Sequence, residues 1–305
     1  MNYSQLYQAI QDYSENTEQT FLLNIPVFVK QTESRIYNSV QLPSLRRNVT
    51  GVLTAGNKYV SCPDDWLANY SLAVIDTDGR YNYLLNKDVN YLREAYPNPN
   101  STGLPKYYAV FGPNSTLPKE LSLILAPTPN DSYGVELHYF YYPESIVQGV
   151  IKTVSITNSG TGYNNGVYKD VYLTGGNGQG AVATIVVQNQ SIAGVQIDDG
   201  GAFYSAGEVL SANSSDIGGS GVNLAITILT VGNAQGTSWV GDNYDPVLFY
   251  GAMREAVLFM KGEQDMVAYY EKMFQEALAQ LKRLGDGLER GDAYRDGQTK
   301  LKVNT

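Results

Sequence analysis

Residues 154–187 and 195–228 carry two copies of one glycine-rich β pattern, offset by 41 residues. Ile156, Gly160, Tyr163, Gly166, Gly178, Gly180 and Ile185 reappear as Ile197, Gly201, Tyr204, Gly207, Gly219, Gly221 and Ile226. A self-similar segment of this kind is one structural unit repeated, and neither copy has enough strands to bury a core alone. Two copies packed as a sandwich or roll would. The repeat therefore predicts an inserted all-β domain over 149–236, and the chain on either side must be read as a separate body. Loop insertions are tolerated where they meet solvent, so the insert is expected to face outward.

The flanking sequence supports that division. Apolar residues fall at helical spacing from Tyr3 to Val40: Leu6 and Ile10, then Phe21, Ile25, Phe28, Val29, Thr32 and Ile36. This predicts helices over 3–12 and 17–38, with Ser14 and Thr17 as candidate N-caps. Pro26 should kink the second helix or mark its start. Between 48 and 147 the period becomes two and turn signals such as Asp78-Gly79, Asn98-Pro99-Asn100 and Gly112-Pro113-Asn114 recur, which predicts a small antiparallel β domain. In its last run Val135, Leu137, Tyr139 and Tyr141 share one face, and Glu136, His138, Phe140 and Tyr142 the other. Helices return over 246–261, with Asp245 as N-cap, Pro246 at the first position and Gly262 as terminator, and over 263–284, broken by Gly285 and Gly287. The polar stretch from Asp292 to Thr305 is expected to be either disordered or ordered only by a partner, and Leu288 to Val303 to order against the portal or a neighbouring subunit. The reading is an α+β fold: N- and C-terminal helices forming a helical bundle, a small antiparallel β domain, and the inserted all-β domain. The body is 1–148 with 237–305.

Charge and composition exclude several functions. A net charge of −9 argues against gripping nucleic acid, which requires neutralising phosphates. Cys62 is the only cysteine and His138 the only histidine, so intrachain disulfides are excluded and His/Cys zinc sites nearly so. The N-terminus does not read as a secretory signal and no apolar run suits a membrane span, so a soluble protein assembled in a cytoplasm is expected. The 25 tyrosines supply rigid, amphipathic contact area suited to interfaces or to sheet positions.

No chemistry-bearing motif emerges. Gly175 to Gly180 superficially contains a phosphate-binding fingerprint, but Ala181 to Val187 reads as a strand where such a site needs a helix. Gly219-Ser220-Gly221 lacks the spacing of a nucleophile elbow. Asp198, Asp199 and Asp216 lie in the repeat without the calcium β-roll pattern. His138 is expected as an ordinary side chain on a sheet face. The expectation is a protein that is not an enzyme and holds no cofactor or metal.

With the insert set aside, the chain resembles the head-to-tail adaptor proteins of tailed bacteriophages, the connector or tail tubular A type. The segments that carry the resemblance are Thr20 to Val29 with Glu33 to Ile36, Lys58 to Leu67, and Tyr250 to Ala256. The insert is similar to glycine-rich β repeats of marine phage structural proteins. The resemblance implies a virion protein at the head-tail junction, in a ring of about a dozen copies, extending the channel through which DNA passes without specific binding. Implied partners are the portal protein, the tail nozzle or next tail component, and tail fibres. Candidate docking residues are Tyr250, Phe259, Tyr269, Tyr270, Leu284, Leu288, Tyr294 and Leu301. A carbohydrate- or receptor-binding tail protein is the alternative, with a hydrolase third.

Overall fold

The computed structural model describes residues 1–98, 100–113 and 121–293, with 113 and 286–293 described by backbone alone. The chain is α+β and divides into two compact units, one of Met1–Val40 with Glu144–Gly287 and one built on Gln41–Pro143.

The first unit opens with α1 (Tyr3–Ser14) and α2 (Gln19–Ser39). Asn2 and Gln5 form a reciprocal capping box, each side chain accepting from the other's backbone N–H at 2.9 and 3.0 Å, which fixes where α1 begins. Helix α1 runs two residues beyond the expected 12. Ser14 is therefore its last residue and not a cap for α2. The N-cap of α2 is Glu18, which makes no side-chain cap bond; its own N–H is held by Asn16 Oδ1 at 2.9 Å. Phe21, Ile25, Phe28, Val29, Thr32 and Ile36 are all buried, as the spacing predicts. Pro26 sits inside α2 with its ring buried, so it does not mark the start.

The second unit comprises β1 (Arg46–Val52), β2 (Tyr59–Ser61), β3 (Trp66–Ile75), β4 (Tyr81–Tyr83), β5 (Leu85–Asn86), α3 (Val89–Ala95), β6 (Thr102–Gly103), β7 (Tyr107–Pro113), β8 (Leu121–Ala126), β9 (Thr128–Pro129) and β10 (Gly134–Tyr141). Two four-stranded sheets, ordered β1-β10-β3-β4 and β2-β8-β7-β5, share a core in which Leu72, Val135, Leu137 and Tyr139 of the first meet Tyr108, Leu123 and Leu125 of the second. The second sheet is covered on both faces: Ala109, Ile124 and Ala126 turn outward under Leu92 of α3. This is why β8 carries the continuous apolar run Leu123 to Ala126 rather than an alternation. Purely antiparallel pairing is not what forms, because β5 pairs with β7 and β6 with β9 in parallel. Helix α3, absent from the sequence reading, is only seven residues long and buries one of them, Leu92. Its start is set by Asp88, whose carboxylate accepts from Asn90 N–H at 2.7 Å.

The chain returns to the first unit as β11 (Ile151–Thr161), β12 (Gly166–Thr174), β13 (Gln179–Gln188), β14 (Ser191–Ala202), β15 (Val209–Ala212) and β16 (Val222–Val231). These make one sheet ordered β11-β16-β15-β12-β13-β14 around a shared core. Its outer strands approach each other, since a Cβ on Gly200 would lie 2.4 Å from the Ile151 carbonyl oxygen. Tyr163 and Tyr204 are buried in its core. A Cβ on Gly221 would come within 2.3 Å of the Tyr163 ring, and one on Gly178 within 2.3 Å of the Tyr204 ring. These glycines are thus seats for aromatic rings as much as turn residues.

Last come α4 (Trp239–Asn243), α5 (Pro246–Phe259) and α6 (Gln264–Ala293). Asp245 precedes α5 but makes no side-chain cap bond; its carboxylate lies 3.8 Å from the Met1 ammonium instead. After α5 the left-handed conformation falls on Lys261, with φ 52°, and Gly262 N–H closes back on the Val257 carbonyl at 2.9 Å. Helix α6 continues through Gly285 and Gly287 to Ala293, because glycine lowers helix stability without removing a backbone donor. Gly178→Ala and Gly221→Ala should each destabilise the chain by about 1–3 kcal/mol through overpacking. Gly194→Ala, where an added Cβ meets only Val186 at 3.9 Å, should stay within about 0.5 kcal/mol in the same urea titration.

Candidate functional site

The helices of the first unit bring several of the sequence-predicted docking residues onto one aromatic face. Along α1 the buried stripe Tyr3, Leu6, Ile10 is continued by Tyr13, which is 67% exposed and meets Phe249 of α5 edge-on at 4.9 Å. Phe249 contacts Tyr250 at 5.5 Å, and Tyr269 contacts Tyr270 at 5.4 Å. Burial raises the Tyr270 hydroxyl pKa, with Tyr269, Tyr13 and Tyr250 adding to the effect. Tyr270 is buried and Tyr269 half exposed. Phe259 lies elsewhere, against Phe21 and Phe28 of α2 at 6.2 and 5.3 Å. Leu284 is exposed on α6. Leu288 is described by backbone alone, and Tyr294 and Leu301 lie outside the described residues. The sequence reading missed Tyr13 and Phe249. Tyr13 had a signal, since it lies three residues beyond Ile10 on the same stripe.

This face is held by a close crossing of α2, α5 and α6. A Cβ on Gly251 would lie 2.3 Å from Thr32 Cγ2 and 3.0 Å from the Phe274 ring, so only glycine lets the three helices approach this way. Arg35 stacks over Phe274 at 5.1 Å and reaches Glu255 at 3.2 Å and Glu271 at 3.6 Å. Arg254 completes the network, 2.5 Å from both Glu255 and Glu271. Burial pushes the Glu271 carboxyl upward, but the Gln275 hydrogen bond and the Arg254 and Arg35 charges outweigh it and leave its pKa lowered. Shared, partly buried charges of this kind bind more firmly than isolated surface pairs.

The remaining candidates resolve into local roles. Asp198 accepts from Thr184 Oγ1 at 2.7 Å, Asp199 pairs with Lys30 at 2.6 Å, and Asp216 accepts from Asn213 and Ser215. Among the described residues no group of three or more His, Cys, Asp or Glu side chains could hold a metal ion. Gly175 and Gly176, both at positive φ, turn β12 into β13. His138 lies 3.0 Å from Glu136 on a sheet face, and Asn48 donates to the same carboxylate at 2.6 Å. A groove of about 560 Å³ runs between α2 and the six-stranded sheet, and polar straps cross it. Lys30 donates to Asp199 and to the Gly201 carbonyl, and Gln179 donates to the Leu23 carbonyl at 2.9 Å.

One buried group had no sequence signal. Glu33 is fully enclosed on α2, and its carboxylate accepts from the Ile146 N–H at 3.0 Å, where the chain re-enters this unit. Burial pushes its pKa up to about 7, against the lowering influence of Ser145, Ile146 and Lys30.

A family model described as SU10 adaptor protein matches residues 1–176. That span is more than half of the chain and contains α1, α2, all of Gln41–Pro143, β11 and β12. The chain belongs to the SU10 adaptor protein family, a family of phage structural adaptors. No curated protein matches it. No helix among the described residues is long and apolar enough to cross a membrane.

Because the Glu33 pKa is raised on folding, the stability it supports is complete below its ordinary value of 4.5 and is lost as pH rises through about 7. Glu33→Gln keeps an acceptor for Ile146 and cannot ionise. It should raise the melting temperature at about pH 8, corresponding to roughly 1–3 kcal/mol, and leave it nearly unchanged at about pH 4.

Proposed function

We propose that the chain is the head-to-tail adaptor of its phage, a ring-forming virion protein that joins the portal to the tail and extends the DNA channel. Membership of the SU10 adaptor protein family carries this reading. The aromatic face of α1, α5 and α6 supports it, since an adaptor must offer neighbours rigid contact area without forming a closed core of its own. So does the net charge of −9, because a channel with few phosphate contacts lets DNA slide. Ring formation requires heterologous interfaces, in which two different patches of each copy meet.

In this reading Tyr250, Phe259, Tyr269, Tyr270, Leu284, Leu288, Tyr294 and Leu301 contribute to docking, with Tyr13 and Phe249 joining them. The β domain at 149–236 is carried by the adaptor body as an outward-facing element that braces neighbours or meets tail fibres. The C-terminal segment docks on the portal or on an adjacent copy.

Mass measurement of the purified protein, alone and mixed with its portal ring, tests the reading: a defined oligomer on the portal is expected, and no complex at micromolar concentration would refute it. Deleting residues 286–305 should abolish attachment to filled heads while leaving the melting temperature of the remainder within a few degrees. Attachment that survives the deletion sinks the docking role of this segment.

A further inference from the structure

The second unit carries a cationic and aromatic surface that its own fold does not use. On the outer face of the sheet β2-β8-β7-β5, helix α3 covers Ala109, Ile124 and Ala126. Beside it Tyr59 and Phe111 pack at 5.3 Å and stay 43% and 41% exposed. Lys58 stands over the Tyr59 ring at 5.5 Å and Arg93 over the Phe111 ring at 5.8 Å. Both cations also line one small pocket, with Asn98, Ser101 and Thr128 on one part of its wall and Leu92, Tyr96 and Ile124 on another. Among the described residues neither makes an ion pair. Two cations without ion-pair partners, next to two exposed rings, suit a ligand that presents carboxylates beside an aromatic side chain.

The same chain holds such a segment. Residues 41–143 are nearly balanced, with eight Lys and Arg against nine Asp and Glu. Residues 1–40 and 144–287 hold nine against eighteen. Within that acidic part, the turn from α1 to α2 exposes Asp12, Glu15 and Glu18, none of them ion-paired among the described residues, around the exposed Tyr13. The conformation is set by the backbone, with Glu15 at φ 47° and Asn16 holding the Glu18 N–H.

We propose that the Lys58–Tyr59–Phe111–Arg93 surface of one copy receives the α1–α2 turn of a second copy, the carboxylates meeting Lys58 and Arg93 while Tyr13 packs on the Tyr59–Phe111 pair. The contact is heterologous, and it rests on the reading of the chain as a self-assembling ring protein. Its charge component steers assembly and weakens with salt.

Charge reversal in trans tests it. Full-length K58E/R93E and full-length D12K/E15K/E18K should each lose self-association by about tenfold or more in low-salt sedimentation, with circular dichroism and melting temperature unchanged. An equimolar mixture should recover it, because each reversed surface then finds an opposite partner. Tyr13→Cys in one copy and Phe111→Cys in another should cross-link under mild oxidation. Two folded variants that assemble like the wild type, or a mixture that recovers nothing, overturn this contact while leaving the ring reading intact. A wild-type chain that forms no oligomer either alone or on the portal removes both.

Discussion

At Gly251 the backbone of α5 passes so close to Thr32 of α2 and Phe274 of α6 that a single methyl group would clash with both. Residues from the two ends of the chain are held together there, and the aromatic face exists only because they are. Arg35 and Arg254 extend the crossing into a shared ionic cluster with Glu255 and Glu271, which sets the rotation of the helices about their contact. The packing supplies the closeness and the charges supply the register. The Met1 ammonium, paired with Asp245 and bonded to the Gly241 carbonyl, fixes the same junction from the other side.

The six-stranded sheet uses the same device with different residues. Tyr163 and Tyr204 are large rings in a core otherwise made of Ile, Val, Leu and Ala, and each needs a glycine beneath it. Their strands are shared across the sequence: β11 pairs with β16, and β14 with β13. The first strand of each sequence copy thus completes its pairing on the last strand of the other. Lys30 and Gln179 then tie this sheet to α2, so the β domain and the helices belong to one compact unit.

An adaptor makes its living at its surfaces, and the two units differ in kind. The unit of Met1–Val40 with Glu144–Gly287 is acidic and presents tyrosines on helices. The unit built on Gln41–Pro143 is nearly neutral and presents aromatic rings beneath cations on a sheet and on α3. The two units thus offer chemically different surfaces.

Sequence periodicity by itself determined the helical ends, the β character of 48–147 and of the glycine-rich segment, and the buried stripe of α2, because side chains must alternate at the period of the element that buries them. Short elements escaped it: α3 buries only Leu92, too little for a period to show. The N-cap of α5 fell on Asp245 as its position before Pro246 predicts, although its carboxylate makes no cap bond, whereas the cap of α2 falls on Glu18 and not on Ser14 or Thr17. Only the tertiary structure decided that Tyr13 joins Tyr250 and Tyr270 while Phe259 turns to α2, and that Glu33 is buried on a segment more than a hundred residues away. These are contacts between elements distant in sequence, and their partners are fixed by how closely glycines such as Gly251 allow backbones to approach, which no local pattern records.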